Sequence, residues 1–424
     1  NTSIKLLNLG RDAIVFAAVQ DLQCLQSVPN PRLNFFDIDL LRHTAESKPG
    51  NVVLSPASIK ATLAMLLEGA VGRTASEIKS TLRLSHARKE FREELKVYLR
   101  ALDANITGSL LKSVNGIFVA QDLKVRKDYE ALMKNVYSTG VRRVNFREPG
   151  PSTKIINDWV NTETRGLIPA IIEEAHVSPT TEMLVANVLY FKSDWVHGFD
   201  PKLTHGDCFY RDAVCRTVAM MDLQAELNYT YLDDLRSHAV ELPYEGNRYS
   251  LILLVPEDRE AGVALIRDLP YVGLPAISDL MEPTEVLLTM PKFTIDYSED
   301  LVDSLKSSGI RTLFAPNANL SGIFEDSSPS VTTIHQTVHL SVDETGTVAA
   351  AATAGLIVPL IGDHVQLHID RPFIFFIRDN EYGVMLFEGK VEEPTAFHDA
   401  CASHPPAQPY FREPKDPTHT TPPA

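Results

Sequence analysis

The chain has 424 residues, 44% of them apolar and 22% charged, which is enough apolar material for a large buried core and too much for a disordered chain. Fifty-five acidic against forty basic side chains leave a net charge of −15, a field that repels phosphate backbones and anionic lipid and so disfavours a general nucleic-acid binder. The apolar run at residues 14–19 is six residues long, far from the roughly 20 a bilayer crossing needs, so no membrane segment is expected.

Residues 1–31 read as an N-terminal extension with helical spacing at Ile4, Leu7, Ile14 and Ala18. From residue 32 the periodicity sharpens. Phe35, Phe36, Ile38, Leu40 and Leu41 predict an amphipathic helix, and Ile59, Leu63, Met65 and Leu66 predict a second over residues 58–69. Two more are expected over 74–84 and 88–102, the latter strongly charged on one side. Strand signals follow at 116–119, 183–191, 239–242, 249–255, 286–295, 372–378 and 384–390. Helices and strands alternate without a regular rhythm or repeat, so the class is mixed α+β, and no linker interrupts residues 32–395. The last twenty residues hold seven prolines, and 396–424 is expected to be a disordered tail.

Cys24, Cys208, Cys215 and Cys401 show no metal-ligand spacing, so neither zinc nor any other metal or cofactor is expected. A two-residue hairpin turn at Arg211-Asp212 would set Cys208 directly opposite Cys215 at bridging distance; otherwise both are free thiols. A Cys24–Cys401 bridge would tie the two ends together. Sequons at Asn1, Asn105, Asn228 and Asn319 are usable on a secretory route, and the absence of an initiating Met fits a mature form without its signal peptide. The expected localisation is extracellular.

Residues 345–362, TGTVAAAATAGLIVPLIG, carry no charge. Glycines, a proline and threonines dilute the stretch too far for a membrane span, and it has no polar face for a surface helix. As an extended strand, Thr347, Ala349, Ala351 and Thr353 would share one side, each small enough to enter an existing sheet. The motifs of hydrolases, P-loop enzymes, zincins and dinucleotide-binding enzymes are absent, so no enzyme is expected.

Five ordered motifs make the chain closely resemble a serpin over about residues 32–395. They are NVVLSPASIKATLAMLLEGAVGRTASEI (51–78), VANVLYFKSDW (185–195), MPKFTIDYSEDLVDSLKSSGI (290–310), IHQTVHLSVDETGTVAAAATA (334–354) and DRPFIFFIRDNEYGVMLFEGKVEEP (370–394). The resemblance implies three β-sheets, eight or nine helices and an exposed reactive loop over about 345–369. It also implies a monomer whose partner is a target serine protease. The protease attacks the loop and becomes covalently trapped when the cut loop inserts into the main sheet. About fourteen inserted residues reach roughly 45 Å, close to the ~50 Å diameter expected of a core this long.

The resemblance assigns Glu344, Gly346 and Thr347 to the hinge, with Ala349, Ala351 and Thr353 following into the sheet; Val348, where the family has Glu, should face the outer side. Counting from Glu344 puts the scissile bond at Leu360-Ile361. No Arg or Lys occurs between 345 and 369, so a chymotrypsin-like or elastase-like target with an apolar pocket is expected. Ser55, Ser58, Asn187 and His335 match the polar cluster under the parting strands, and Trp195 the place where the loop first enters. Arg88, Arg92, Lys96 and Arg100 recur every four residues, a spacing that some serpins use for sulfated polysaccharide, although Glu90, Glu93 and Glu94 could pair with them. The alternatives are a carrier on the same fold and an inhibitor of papain-like cysteine proteases.

Overall fold

Pro56 opens a helix that reaches solvent at none of its fourteen positions. Its proline sits where a backbone N–H would have no partner, and Ser55 Oγ accepts the Ser58 N–H at 3.4 Å as its N-cap. The sequence predicts one apolar face here, but Lys60 and Glu68 are buried as well, because the helix lies between two sheets.

The computed structural model describes residues 34–46, 48–85, 87–103, 108–211, 214–259, 261–269, 274–326, 329–344 and 364–398. Among them are nine α-helices: α1 (Asn34–Ala45), α2 (Pro56–Gly69), α3 (Gly72–Thr81), α4 (Arg88–Leu102), α5 (Lys127–Val136), α6 (Pro149–Glu163), α7 (Gly262–Asp268), α8 (Leu274–Asp279) and α9 (Val302–Ser307). No described helix is long and apolar enough to cross a membrane.

Fourteen strands form two hydrogen-bonded sheets. The five-stranded sheet runs β10 (Phe293–Asp300), β11 (Thr333–Val342), β4 (Met183–Ser193), β2 (Ser109–Ala120), β3 (Val141–Val144). The other runs β1 (Val52–Leu54), β14 (Val384–Val391), β13 (Phe373–Asp379), β8 (Tyr249–Pro256), β7 (Ser237–Pro243), β6 (Val214–Leu232), β9 (Glu282–Pro291), β12 (Val365–His368), with β5 (His205–Arg211) also on β6. Three expected sheets become two networks because β6 is 19 residues long. Its first part pairs with β5, its middle with β9 and its end with β7, which joins two groups of strands into one.

The single strand expected over 286–295 is two. β9 ends at Pro291 and β10 begins at Phe293 in the other sheet, so Lys292 alone crosses between them. Strand alternation sets the two faces of the five-stranded sheet. Met183, Val185, Leu189 and Phe191 join the main core beneath, whereas Leu184, Ala186 and Val188 join a second apolar cluster with Ile156, Trp159 and Val160 of α6. A Cβ on Gly116 would stand 2.5 Å from the Trp159 ring, so α6 can lie this close only over glycine.

Two expected boundaries move. The loop expected to extend to 369 ends sooner, since Val365–His368 form β12 against β9 and Ile369 is buried. The first residues of the segment expected as a tail from 396 pack on the sheet: Ala396 bridges Val218, Phe397 N donates to Thr217 O at 3.2 Å, and the Phe397 ring lies over Gly206.

Candidate functional site

β4 and β11 lie side by side in parallel from Leu184↔Thr333 to Phe191↔Leu340, and this pairing is the centre of the five-stranded sheet. Beneath it Asn187, fully buried, reaches down to α2. Its Nδ2 donates to Ser58 Oγ and Asn115 Oδ1, with Thr62 Oγ1 3.3 Å away. Its Oδ1 accepts from Gln336 Nε2 at 2.6 Å, and Gln336 Oε1 in turn accepts the Ser55 N–H at 3.0 Å. Side chains of α2, β2, β4 and β11 therefore satisfy one another, with Ser55, Ser58, Thr62, Asn187 and Gln336 fully buried and Asn115 half-buried.

The structure brings Ser55, Ser58 and Asn187 together but not His335. The residue of β11 in this cluster is Gln336, and a shift of one position along a strand exchanges its faces. Gln336 is the polar member of the inward series Ile334, Gln336, Val338, Leu340, Val342, a signal the alternation carried. His335 points to the α6 side. Its Nε2 is 2.8 Å from Ser298 Oγ and its ring 5.7 Å from that of His176. Burial, and next the neighbouring His176, push its pKa down to about 4, so the ring is neutral at neutral pH.

At the end of β11 the chain is tied down at two successive residues. Trp195 Nε1 donates to Asp343 O at 2.8 Å while its ring stacks on Tyr244 at 4.2 Å. Phe199 N donates to Glu344 O at 2.9 Å, and the Glu344 carboxylate receives Lys292 Nζ at 2.7 Å and Thr204 Oγ1 at 2.8 Å. Burial opposes the charge on Glu344, yet the bonds from Lys292, from the backbone and from Thr204 hold its carboxyl below the ordinary range. Lys292, the one residue between β9 and β10, is thus the cation that holds Glu344 at the end of β11. Sequence reading singled out neither it nor Thr204. Gly346, Thr347, Ala349, Ala351, Thr353, Leu360 and Ile361 lie outside the described residues, as do Asn1, Asn105, Cys24 and Cys401.

Cys208 and Cys215 form a disulfide with Cα atoms 5.0 Å apart. They are not directly opposite, as expected, but diagonal: Arg211 pairs with Val214, so Cys208 faces Thr217 and Cys215 faces Tyr210. Of the four basic residues of α4 that recur every four positions, Arg88 and Arg92 both bind the buried Glu68 of α2, at 2.6 Å, and Lys96 pairs with Glu93 at 2.6 Å. Two guanidiniums are thus committed to an internal carboxylate, which weakens α4 as a polyanion surface; Arg100 is exposed. Asn228 and Asn319 are exposed, and Asn228 Nδ2 donates to Glu241 Oε2 at 2.9 Å.

The profile of the family described as "Serpin (serine protease inhibitor)" matches residues 31–394. The chain belongs to the serpin family. It is 32% identical over 369 residues to Intracellular coagulation inhibitor 1 of Tachypleus tridentatus, covering 85% of this chain and 88% of that one. It is 31% identical to the Leukocyte elastase inhibitor of Equus caballus, covering 85% and 97%. Among solved structures, human thyroxine-binding globulin complexed with thyroxine superposes with a TM-score of 0.79 at 26% identity, covering 88% and 99%. Serpins are mostly protease inhibitors that form complexes with their targets, and the relatives of this serpin include inhibitors by name. The family also holds carriers, and its members work both outside and inside cells.

Proposed function

We propose that this serpin is a single-use inhibitor of serine proteases with an apolar primary pocket, cleaved at Leu360-Ile361 and completed by insertion of the upstream loop between β4 and β11. The observation that carries this reading is the parallel β4–β11 pair with an uncharged, small-residue segment attached to the end of β11. A chain that turns back after β11 runs antiparallel to it, and hence to β4 as well. Insertion therefore exchanges one parallel ladder for two antiparallel ones, the slightly stronger pairing per residue. The acyl-enzyme forms when the protease's serine attacks the Leu360 carbonyl and the Ile361 amine leaves. Release of the cut end then lets residues from Thr347 onward enter, with Gly346 taking the turning angles and Ala349, Ala351 and Thr353 entering as small side chains.

In this reading the Asn187–Gln336 cluster is the part of the sheet that must exchange hydrogen bonds as the strands separate, and Lys292–Glu344 and Trp195–Asp343 fix the point of first insertion. The bridge Cys208–Cys215 and the sequons at Asn228 and Asn319 support passage through a secretory route, which an endoglycosidase mobility shift of the protein secreted from a eukaryotic host would check.

The test is incubation of the protein with chymotrypsin and, separately, with elastase. A complex that survives boiling in detergent is expected, together with a higher melting temperature of the loop-nicked protein. Clean cleavage with no complex and no gain in melting temperature would favour the carrier alternative. Trapping of papain but of neither serine protease would favour the cross-class one.

A further inference from the structure

On the side of α2 away from the polar cluster lies a charged group that neither the hinge nor the sheet opening uses. Lys60 of α2, wholly buried, places its ammonium 2.6 Å from Asp37 Oδ1 of α1 and 3.2 Å from the Tyr98 hydroxyl of α4, over whose ring it also lies at 4.4 Å. α1, α2 and α4 all pack on β14, whose Glu388 has no exposed surface and no hydrogen-bond partner at either carboxyl oxygen among the described residues. The strands flanking β14 set Leu54 and Phe376 beside Glu388. β1 carries no titratable side chain, and Arg378 and Asp379 of β13 pair with Met385 and Val384 at the far end of β14.

Two buried carboxyls, Asp37 and Glu388, and the Lys60 ammonium thus lie where α1, α2 and α4 pack on β14, with the Tyr98 hydroxyl on the same ammonium; the other ammonium of β14, Lys390, is held by Ala45 O, Lys48 O and Glu392. If both carboxyls were ionised, the group would hold an uncompensated negative charge in a low-dielectric interior, which proteins avoid by keeping a proton. Asp37 has the ammonium at ion-pair distance, so the proton falls to Glu388. We propose that Glu388 is a neutral carboxylic acid in the folded protein at physiological pH, and that the α1–α2–β14 joint is a proton-dependent brace on the helix that carries the sheet-opening cluster. The electrostatics agree. Burial first, then Asp37, push the Glu388 carboxyl well above the ordinary range against the pull of Lys60, and burial likewise pushes Asp37 up to about 6. The two titrate as a pair.

The sign follows from linkage. A folded-state pKa raised above the unfolded value gives stability that is complete below the unfolded pKa and is lost as pH rises through the folded one. Above that point a bare charge lies under α2, whose other side holds Ser58 and Thr62 against Asn187, so the seat of the central strands loosens as the proton leaves.

Infrared spectroscopy of the folded wild-type protein at neutral pH should show the C=O stretch of a protonated, non-hydrogen-bonded carboxyl, lost in Glu388→Gln and in Glu388→Leu. Over about pH 5 to pH 8, the wild-type unfolding constant should rise relative to that of Glu388→Gln by up to roughly tenfold per pH unit, the signature of one proton. A wild-type spectrum without this band overturns the proposal with no variant needed. So does a band that persists in either variant, or a Glu388→Gln protein with the wild-type pH slope. Unfolding is the readout, so the result stands whether or not the chain inhibits a protease.

Discussion

Gln336 Nε2 donates to Asn187 Oδ1 at 2.6 Å and so joins β11 to β4 at matched register, at the centre of the parallel pair. The same Gln336 accepts the Ser55 N–H that opens α2, so one side chain ties the seam of the sheet to the helix beneath it. Gln336→Leu removes both links and leaves Asn187 Oδ1 and the Ser55 amide buried without these partners. The expected loss is about 1–3 kcal/mol, read as a lower urea midpoint at unchanged slope. A midpoint equal to that of the wild type would mean that the cluster bears no part of the sheet's cohesion.

Glu344→Lys sets a second ammonium against Lys292 and removes the acceptor for Thr204. The cost is expected to be on the order of 2 kcal/mol, concentrated at the end of β11. The measurable outcome is faster spontaneous loss, at constant temperature, of the inhibitory capacity proposed above. Reversal of the pair, Lys292→Glu with Glu344→Lys, should recover part of it. Equal decay in the wild type and the single variant would remove the hinge role of this ion pair.

His335 makes the stability depend on acid. Its pKa is about 4 when folded and near 6.5 when unfolded, so the folded state resists the proton. Its contribution is complete above pH 6.5 and is lost as pH falls toward 4, by roughly 3 kcal/mol in the limit. His335→Phe should flatten that part of the pH–stability curve, while a curve parallel to the wild type's would show that the ring does not titrate this way. The Glu388 contribution has the opposite sign, so each is isolated only as a difference between variant and wild type.

Thr347→Arg brings a cation to the first residue that would have to enter the sheet. Desolvating it costs several kcal/mol, so insertion should lag behind hydrolysis of the acyl-enzyme and the protein should become a substrate. Titration against chymotrypsin or elastase reads this as a stoichiometry well above that of the wild type. An unchanged stoichiometry would contradict the proposed side of burial.

Elements with strong local signals lay close to where the sequence places them. The helix read over 88–102 is α4, and the strands read at 249–255 and 384–390 are β8 and β14, one residue longer at the C-terminal end. β6 alternates only in part: Asp222, Gln224, Glu226 and Asn228 alternate with Leu223, Ala225 and Leu227, but Val214–Thr217 are all exposed and Val218–Met221 all buried, so no single pattern marks its full length. α5 and α6 were missed although their apolar residues, Tyr129, Leu132, Met133 and Val136 in the one and Ile155, Ile156, Trp159 and Val160 in the other, stand at helical spacing. The break at Lys292 is marked only by Pro291, which ends β9 because it has no N–H for a ladder; that β9 and β10 belong to different sheets is not in the sequence.

The sequence alone carried the family resemblance in its five ordered motifs, the mixed α+β class in its alternating periodicities, the closeness of Cys208 and Cys215 in their hairpin spacing and the unusual segment that begins at 345 in its lack of charge, because each is a matter of local composition and spacing. Tertiary structure decided which face of β11 meets α2, and with it the replacement of His335 by Gln336. It also decided that Lys292 holds Glu344, that Glu68 claims Arg88 and Arg92, and that Asp37, Lys60 and Glu388 lie buried where α1, α2 and α4 pack on β14. Charges distant in the chain meet only after the backbone has chosen its register, and the energy of burying them depends on which neighbours that register supplies.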